Sequence, residues 1–145
     1  PLRAGAVLAG AGTEVASALG RFGRDIGIAY QLVDDLLGVF GNESATGKSS
    51  MGDLREGKRT VLIAYAAQTR CWPELSGIIG RPDMDPADAD RARRILVDCG
   101  ARQYAQQLAA DYAASARRHL ECAEVPAGLA AVLDDVVSSS VNRGR

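Results

Sequence analysis

The sequence has no excess of charge of either sign and no long apolar run. Its 145 residues carry 17 basic and 18 acidic side chains, and the formal net charge of −1 leaves nothing to neutralise a nucleic-acid backbone. The longest apolar stretches are interrupted by Arg, Asp or Gly before they reach the roughly 18 residues that a membrane span needs. We therefore expect no nucleic-acid partner and no transmembrane helix.

Cysteine is also scarce. The three cysteines are odd in number, and their wide spacing matches neither a disulfide framework nor a set of metal ligands. The first residues do not resemble a signal peptide. These features predict reduced thiols at Cys71, Cys99 and Cys122 and a cytoplasmic location. Because Pro1 opens a run already patterned like a helix, without a methionine, we also expect the chain to begin within a longer protein.

The hydrophobic pattern that is present has the period of an α-helix nearly throughout, without internal repeats. It predicts an all-α chain forming a single helical domain over residues 1–145. The first predicted helices are Leu2 to Ala11 and a long second helix from Thr13 to the loop that begins at Gly41. Later helices are predicted from Lys58 to about Arg70, between Pro73 and Gly80, from Asp85-Pro86 to Gly100, and over two further segments, of which the last begins near Pro126.

Three of these helices carry apolar stripes that predict bundle packing. In the long second helix, Gly20, Gly23 and Gly27 each cost about 1 kcal/mol in helix propensity, so we expect them where helices approach closely. The stripes are Val15, Leu19, Phe22, Ile26, Tyr30, Val33 and Leu37 in that helix, then Ala101, Ala105, Leu108, Tyr112 and Ala116, and finally Leu129, Val132, Leu133, Val136 and Val137.

Two adjacent carboxylates, Asp34 and Asp35, interrupt the apolar pattern of the long helix. Burying an unpaired carboxylate costs several kcal/mol and neighbouring ones repel, so this pair needs cations or solvent. Gln31 precedes both by one helical turn, and its amide could bind a carboxylate or a ligand oxygen. The helix alone leaves a metal site and a solvated face equally open. A second pair, Asp134 and Asp135, has no basic loop after it and is predicted to face solvent.

The predicted long loop between Gly41 and Gly57 favours a metal site at the first pair. This segment and the residues directly after it bring together Thr46-Gly47-Lys48, Asp53 and Gly57-Lys58-Arg59-Thr60. Glycine permits close backbone approach, and a diphosphate requires ammonium groups and Mg²⁺ bridged by carboxylates. We therefore predict a metal–diphosphate site. A P-loop is the alternative, but its first glycine is absent, since position 42 is Asn.

The run from Phe22 to Ala66, with GIAYQLVDDLLGVFG and TGKSSMGDLREGKRT, resembles the second aspartate-rich region of trans-isoprenyl diphosphate synthases, in particular the prokaryotic geranylgeranyl and polyprenyl branch. The resemblance implies the C-terminal portion of the isoprenoid synthase helical bundle, without its N-terminal helices. It implies a prenyltransferase in which Mg²⁺ helps to ionise an allylic diphosphate, isopentenyl diphosphate attacks the cation head to tail, and a proton is lost.

The resemblance also implies roles for the site residues. Asp34 would bind Mg²⁺ directly, and Asp35 and Asp53 would hold metal-bound water. Lys48 and Lys58 would bind the allylic diphosphate as it departs.

Gln31 would support this cluster as a further diphosphate-binding residue. The family's second motif commonly reads Asp-Asp-x-x-Asp, but Gly38 stands at its last position, so one of three acids is missing. The first aspartate-rich motif, the arginines after it and the upstream Lys-Thr segment are also absent. We therefore expect the chain alone to be inactive.

Two other interpretations remain open. The chain could be a non-catalytic subunit or interaction partner of an active synthase, although its metal and diphosphate residues are present. It could also be a class I terpene cyclase, although the Asn/Ser/Glu motif of those enzymes is not found. Under every interpretation a partial bundle leaves apolar helix faces uncovered, so we expect a homodimer or a helix-swapped oligomer.

Overall fold

The computed structural model describes residues 1–41, 51–121 and 123–141. Within these ranges every regular element is a helix, which confirms the all-α prediction. The helices are α1 (Leu2–Leu8), α2 (Thr13–Phe40), α3 (Gly52–Arg55), α4 (Val61–Ala66), α5 (Trp72–Ser76), α6 (Pro86–Asp98), α7 (Ala101–Glu121) and α8 (Ala127–Val141).

Two helices near the predicted site differ from the sequence-based prediction. Helix α3 lies inside the segment that was predicted to be loop throughout. Helix α4 begins later than predicted because Thr60 has extended backbone angles and caps it: the Thr60 hydroxyl accepts a hydrogen bond from the Ile63 amide at 3.5 Å.

The predicted boundaries of α6 agree closely with the structure. The Asp85 carboxylate accepts a hydrogen bond from the Asp88 amide at 2.7 Å, and Pro86 is the first helical residue. Gly100, with φ of +82°, follows the end of the helix in the left-handed conformation that glycine adopts at low cost.

The contacts divide the chain into two compact units. The first contains residues 1–31 and the described residues from 108 onward, and the second contains residues 32–107. Helix α2 therefore contributes its first part to one unit and its last part to the other. The single domain over residues 1–145 stays a prediction.

The core of the first unit combines large side chains of α2 and α8 with alanines of α7. Gly20 and Gly23 lie where α1 approaches α2, and a Cβ on either would meet Arg3 or Leu2 at 3.3 Å. The close-packing prediction is confirmed at these two glycines. It is wrong at Gly27, where a Cβ would meet no atom within 4 Å in the described part of the chain. The core residues are Ala6, Ala16, Leu19, Phe22, Ile26, Ala29, Ala113, Ala116, Leu120, Leu133 and Val137.

Parts of the predicted stripes are not buried in this structure. In α2, Tyr30 is 43% exposed. In α7 the buried residues include Ala109 and Ala113, whereas Leu108 and Tyr112 of the predicted stripe are half-buried. In α8 only Leu133 and Val137 of the predicted stripe are buried. The surface that packs against α8 covers a narrower arc of this helix than the predicted stripe occupies. Leu129, Val132 and Val136 therefore remain exposed.

A buried aspartate connects α2 and α7 within the first unit. Asp25 accepts hydrogen bonds from the Ser115 hydroxyl at 2.7 Å and from Arg24 Nε at 3.3 Å, and its other contact is His119 Nε2 at 3.1 Å. Burial alone would raise the pKa of the Asp25 carboxyl. The hydrogen bonds from Ser115, His119 and Arg24 outweigh burial and hold this pKa below its ordinary value.

This network predicts a stability that depends on pH. Because the folded-state pKa of Asp25 is lowered, its stabilisation is present above the unfolded-state value of about 3.9 and is lost as the pH falls through the folded-state pKa. We expect the difference in unfolding free energy between wild type and Asp25→Asn to be largest near neutral pH and to shrink below about pH 4. Urea unfolding at several pH values measures this difference. Asp135→Asn, at an exposed carboxylate, is the control, and a difference for Asp25→Asn that does not vary with pH would contradict the prediction.

The second unit holds the C-terminal end of α2 in place. Arg93 Nε donates a hydrogen bond to the Val39 carbonyl at 2.7 Å, which satisfies one of the last carbonyls of this helix. The Arg102 guanidinium lies 4.8 Å from the centre of the Phe40 ring. The core of the unit is Val39, Leu54, Leu62, Ala66, Leu75, Ile78, Met84, Ala89, Ala92, Ile95, Leu96, Ala101 and Ala105.

Among the described residues, no helix combines the length and apolar character that crossing a membrane requires, in agreement with the sequence-based prediction. Cys71 and Cys99 are free thiols, as predicted, and both are half-buried. Cys122 lies outside the described residues.

Candidate functional site

Three of the predicted site residues meet in the second unit. Lys58 Nζ lies 2.9 Å from Asp35 Oδ1 and 3.2 Å from Asp53 Oδ2, so a single ammonium group joins a carboxylate of α2 to one of α3. Of these three side chains, two carry a negative charge and one carries a positive charge.

The backbone around α3 explains why Lys58 points back to Asp53. Gly57 adopts φ of +64°, which reverses the chain directly after the short helix, and the Lys58 amide donates to the Asp53 carbonyl at 3.0 Å. The Leu54 carbonyl accepts from the Gly57 amide at 3.2 Å and from the Gly80 amide at 2.9 Å. With the Leu54 side chain fully buried, the turn that carries Lys58 is fixed to the core of the unit.

The side chains of the cluster are partly shielded from water. About a tenth of the Asp35 side chain is exposed, compared with 24% for Asp53 and 39% for Lys58. The hydrogen bond with Asp35 raises the pKa of Lys58 above its ordinary value, and Asp53 acts in the same direction, while burial opposes both. Lys58 is therefore a cation throughout the neutral pH range.

Of the other predicted site residues, the two that the structure describes are not part of the contact between Lys58, Asp35 and Asp53. Asp34 is exposed while its neighbour Asp35 is buried, because successive residues of a helix do not face the same way. Gln31 is exposed and belongs to the first unit. Lys48 lies outside the described residues, so its predicted role stays a prediction.

The donor chemistry of the carboxylates fits Mg²⁺ bound together with a phosphate ligand. In the part of the chain that the structure describes, no three Asp, Glu, His or Cys side chains lie close enough to hold a metal ion by themselves. Mg²⁺ does not require a site made only of protein ligands. The ion keeps several waters and is commonly bound through one or two carboxylates plus phosphate oxygens. Asp34, Asp35 and Asp53 provide such carboxylates.

One relation in the site was missed by sequence reasoning. A Cβ on Gly38 would lie 2.9 Å from the Asp53 Cγ and closer still to its Oδ2, so the Asp53 carboxylate rests directly on the α2 backbone at position 38. In the sequence motif, Gly38 stands only as a lost acid. The sequence offers no signal for this contact, because the packing of α3 on α2 is a tertiary feature.

The second aspartate pair follows its prediction. Asp134 and Asp135 are both exposed, and Asp134 Oδ1 accepts a hydrogen bond from Arg117 Nε at 2.5 Å on the surface of the first unit.

A groove of about 620 Å³ in the first unit contains none of the predicted site residues. Its charged lining is basic and comprises Arg3, Arg21 and Arg24. This groove is therefore a second place where an anion could bind.

Solved structures of isoprenoid synthases share this all-α fold. The chain is similar to a geranylgeranyl pyrophosphate synthase of Corynebacterium glutamicum complexed with isoprenyl diphosphate and magnesium, with a TM-score of 0.87 and 36% identity over 96% of this chain and 40% of that one. It is also similar to a decaprenyl diphosphate synthase of Rhodobacter capsulatus, with a TM-score of 0.83 and 28% identity over 99% and 45% of the two chains.

The profile of the Polyprenyl synthetase family matches residues 1–96, and the chain belongs to this family. Among characterised sequences it is 44% identical over 115 residues to the geranylfarnesyl diphosphate synthase of Aeropyrum pernix and 35% identical over 117 residues to the geranylgeranyl diphosphate synthase of Methanosarcina mazei. These matches cover 79% and 81% of this chain but only 36% and 35% of the relatives. The predicted family is thereby confirmed.

Proposed function

We propose that this chain provides the second aspartate-rich half of a prenyltransferase site, which condenses an allylic diphosphate with isopentenyl diphosphate. The observation that carries the proposal is the Lys58 ammonium shared by Asp35 and Asp53, next in the helix to the exposed Asp34. In support, the similar Corynebacterium glutamicum enzyme is complexed with isoprenyl diphosphate and magnesium.

The three carboxylates of the site would divide two tasks between them. Mg²⁺, when bound, supplies a Lewis acid that stabilises the charge developing on a departing diphosphate. The exposed Asp34 would be its direct protein ligand. Asp35 and Asp53, which Lys58 holds in place, would accept hydrogen bonds from metal-bound water.

Lys58 would bind the departing diphosphate itself. An ammonium group has three donors, and Asp35 and Asp53 engage two of them in the described part of the chain. The third is available to a phosphate oxygen, and such charge-assisted hydrogen bonds strengthen as negative charge develops on the leaving group. Lys48 and Gln31 would add further diphosphate contacts.

We also propose that the chain alone does not turn over substrate. The chain spans only 36% and 35% of the length of the curated synthases that it matches, and its other adjacent carboxylate pair, Asp134 and Asp135, lies in the first unit, where Arg117 donates a hydrogen bond to Asp134. Product formed by the chain alone from both diphosphates and Mg²⁺ would overturn this point. A cytoplasmic location and a homodimeric or helix-swapped assembly are further parts of the proposal.

Calorimetric titration of the chain with inorganic pyrophosphate, with and without Mg²⁺, tests the metal assignment. We expect binding that requires Mg²⁺ and an affinity at least about tenfold lower for Asp34→Ala, since a charged ligand of the metal is removed. Asp135→Ala is the matched control, because it removes an exposed aspartate of the other adjacent pair. An unchanged affinity for Asp34→Ala, or an equal loss in the control, would show that Asp34 does not bind the metal.

A further inference from the structure

We propose that Gly38 is a positioning residue: because it has no side chain, the Asp53 carboxylate can lie on α2 at position 38 and serve as the third acid of the site. The metal role in this inference rests on the proposed function. The steric relation between Gly38 and Asp53 does not.

Position 38 is where a third acid would be expected to project from the helix. It lies three residues after Asp35 and four after Asp34, so a side chain there would be a neighbour of both. The third carboxylate instead comes from α3, through the packing of Asp53 against the glycine. The acid that is missing from α2 at position 38 is thus replaced by Asp53 of α3.

The space at position 38 is too small for both groups. A Cβ there would lie 2.9 Å from the Asp53 Cγ and closer to Oδ2, which is nearer than side-chain carbons approach one another in proteins. The Oδ2 atom is also the one that Lys58 Nζ contacts at 3.2 Å. Any side chain at position 38 would therefore displace the carboxylate and disturb its contact with Lys58.

The backbone of Asp53 has little freedom to move away from such a side chain. Its carbonyl accepts the hydrogen bond from the Lys58 amide, and the next residue, Leu54, is fully buried. With the backbone held in this way, a change at position 38 must be absorbed by rotation of the Asp53 side chain.

This arrangement leads to an expectation opposite to the one the motif suggests. Gly38→Asp completes an Asp-Asp-x-x-Asp pattern in the sequence and would be expected on that basis to strengthen metal binding. The structure predicts that it weakens binding, because the new carboxylate collides with Asp53. Combining it with Asp53→Gly removes the collision and leaves a third acid on the helix.

Calorimetry with Mg²⁺ and inorganic pyrophosphate on the 145-residue chain tests the inference. We expect Gly38→Ala and Gly38→Asp each to lower the affinity by about tenfold or more. We expect the combined variant, Gly38→Asp with Asp53→Gly, to bind more tightly than Asp53→Gly alone. Gly27→Ala is the matched control, since it adds the same methyl group to the same helix at a position where no described residue lies within 4 Å. Wild-type affinity in Gly38→Ala, or no gain in the combined variant, would overturn the inference.

Thermal unfolding separates a failure of this inference from a failure of the proposed function. If the wild-type chain binds no pyrophosphate, the metal role falls together with the proposed function. A double-mutant cycle of Gly38→Ala and Asp53→Gly, measured by thermal unfolding, still tests the positioning claim. The claim is supported if Gly38→Ala lowers stability in the wild type but not in the Asp53→Gly background. It is overturned if the two changes in stability are additive.

Discussion

Replacing Lys58 with methionine is expected to weaken Mg²⁺-dependent binding of inorganic pyrophosphate by roughly 10- to 100-fold, since a hydrogen bond to a charged group contributes about 1.5–3 kcal/mol. Lys58 is the cation that the structure places between Asp35 and Asp53. Methionine keeps a long unbranched side chain and removes the charge. The variant thus loses both the donor to the diphosphate and the group that holds the two carboxylates together. Calorimetry measures the change.

Two further variants control for charge and for side-chain geometry. Arg70→Met removes one positive charge from an exposed residue of the same unit and is expected to leave the affinity within about twofold, because screened surface charges contribute little at physiological salt. Lys58→Arg keeps the charge but presents a planar fork, so we expect an intermediate affinity. Wild-type affinity in Lys58→Met, or an equal loss of affinity in Arg70→Met, would show that Lys58 does not bind the diphosphate.

Gly57→Ala is expected to lower the free energy of unfolding by at least about 1–2 kcal/mol, the cost of a left-handed backbone for a residue with a Cβ. Gly57 has φ of +64°, and a Cβ there would also lie 3.1 Å from the Gly80 Cα, which is backbone and cannot rotate away. Since this turn directs Lys58 towards Asp53, the variant should also bind Mg²⁺ and pyrophosphate more weakly. Urea unfolding and calorimetry measure the two effects.

Gly52→Ala provides the comparison for Gly57→Ala. Gly52 is the first residue of α3, has no positive φ, and a Cβ there would meet no atom of the described residues within 4 Å. We expect this substitution to leave stability unchanged or slightly higher, because alanine is the better helix former. Equal stability of the two variants would show that the turn at Gly57 does not constrain the chain.

The elements of the fold that could be predicted from the sequence are those with local signals. Helix α6 has a capping aspartate, a proline in its first turn and a glycine after its end, and its bounds were predicted closely. Helix α3 has no such signal, since its four residues are held in place by the burial of Leu54. A short helix of this kind depends on tertiary contacts and is not visible in the periodicity.

The site shows the same division between local chemistry and tertiary packing. Residue types and order indicated that Asp35, Asp53 and Lys58 belong together, and the structure brings these three into contact. Their assigned roles stay predictions. The contact between Gly38 and Asp53 could not be predicted, because it depends on how α3 packs against α2.

The apolar stripe of α8 shows a limit of periodicity. Leu129, Val132 and Val136 fit the helical period as well as Leu133 and Val137 do, but only the last two are buried. Periodicity identifies apolar residues without showing which of them find a covering surface. The chain spans little more than a third of its characterised relatives, and the predicted self-association stays a prediction.

A crystal structure of the chain with Mg²⁺ and inorganic pyrophosphate tests the central claim most directly. We predict that pyrophosphate accepts a hydrogen bond from Lys58 and that Mg²⁺ lies between its oxygens and the Asp34 carboxylate. Pyrophosphate bound instead in the groove lined by Arg3, Arg21 and Arg24, with no ligand at Asp34 and Lys58, would contradict the assignment of the site.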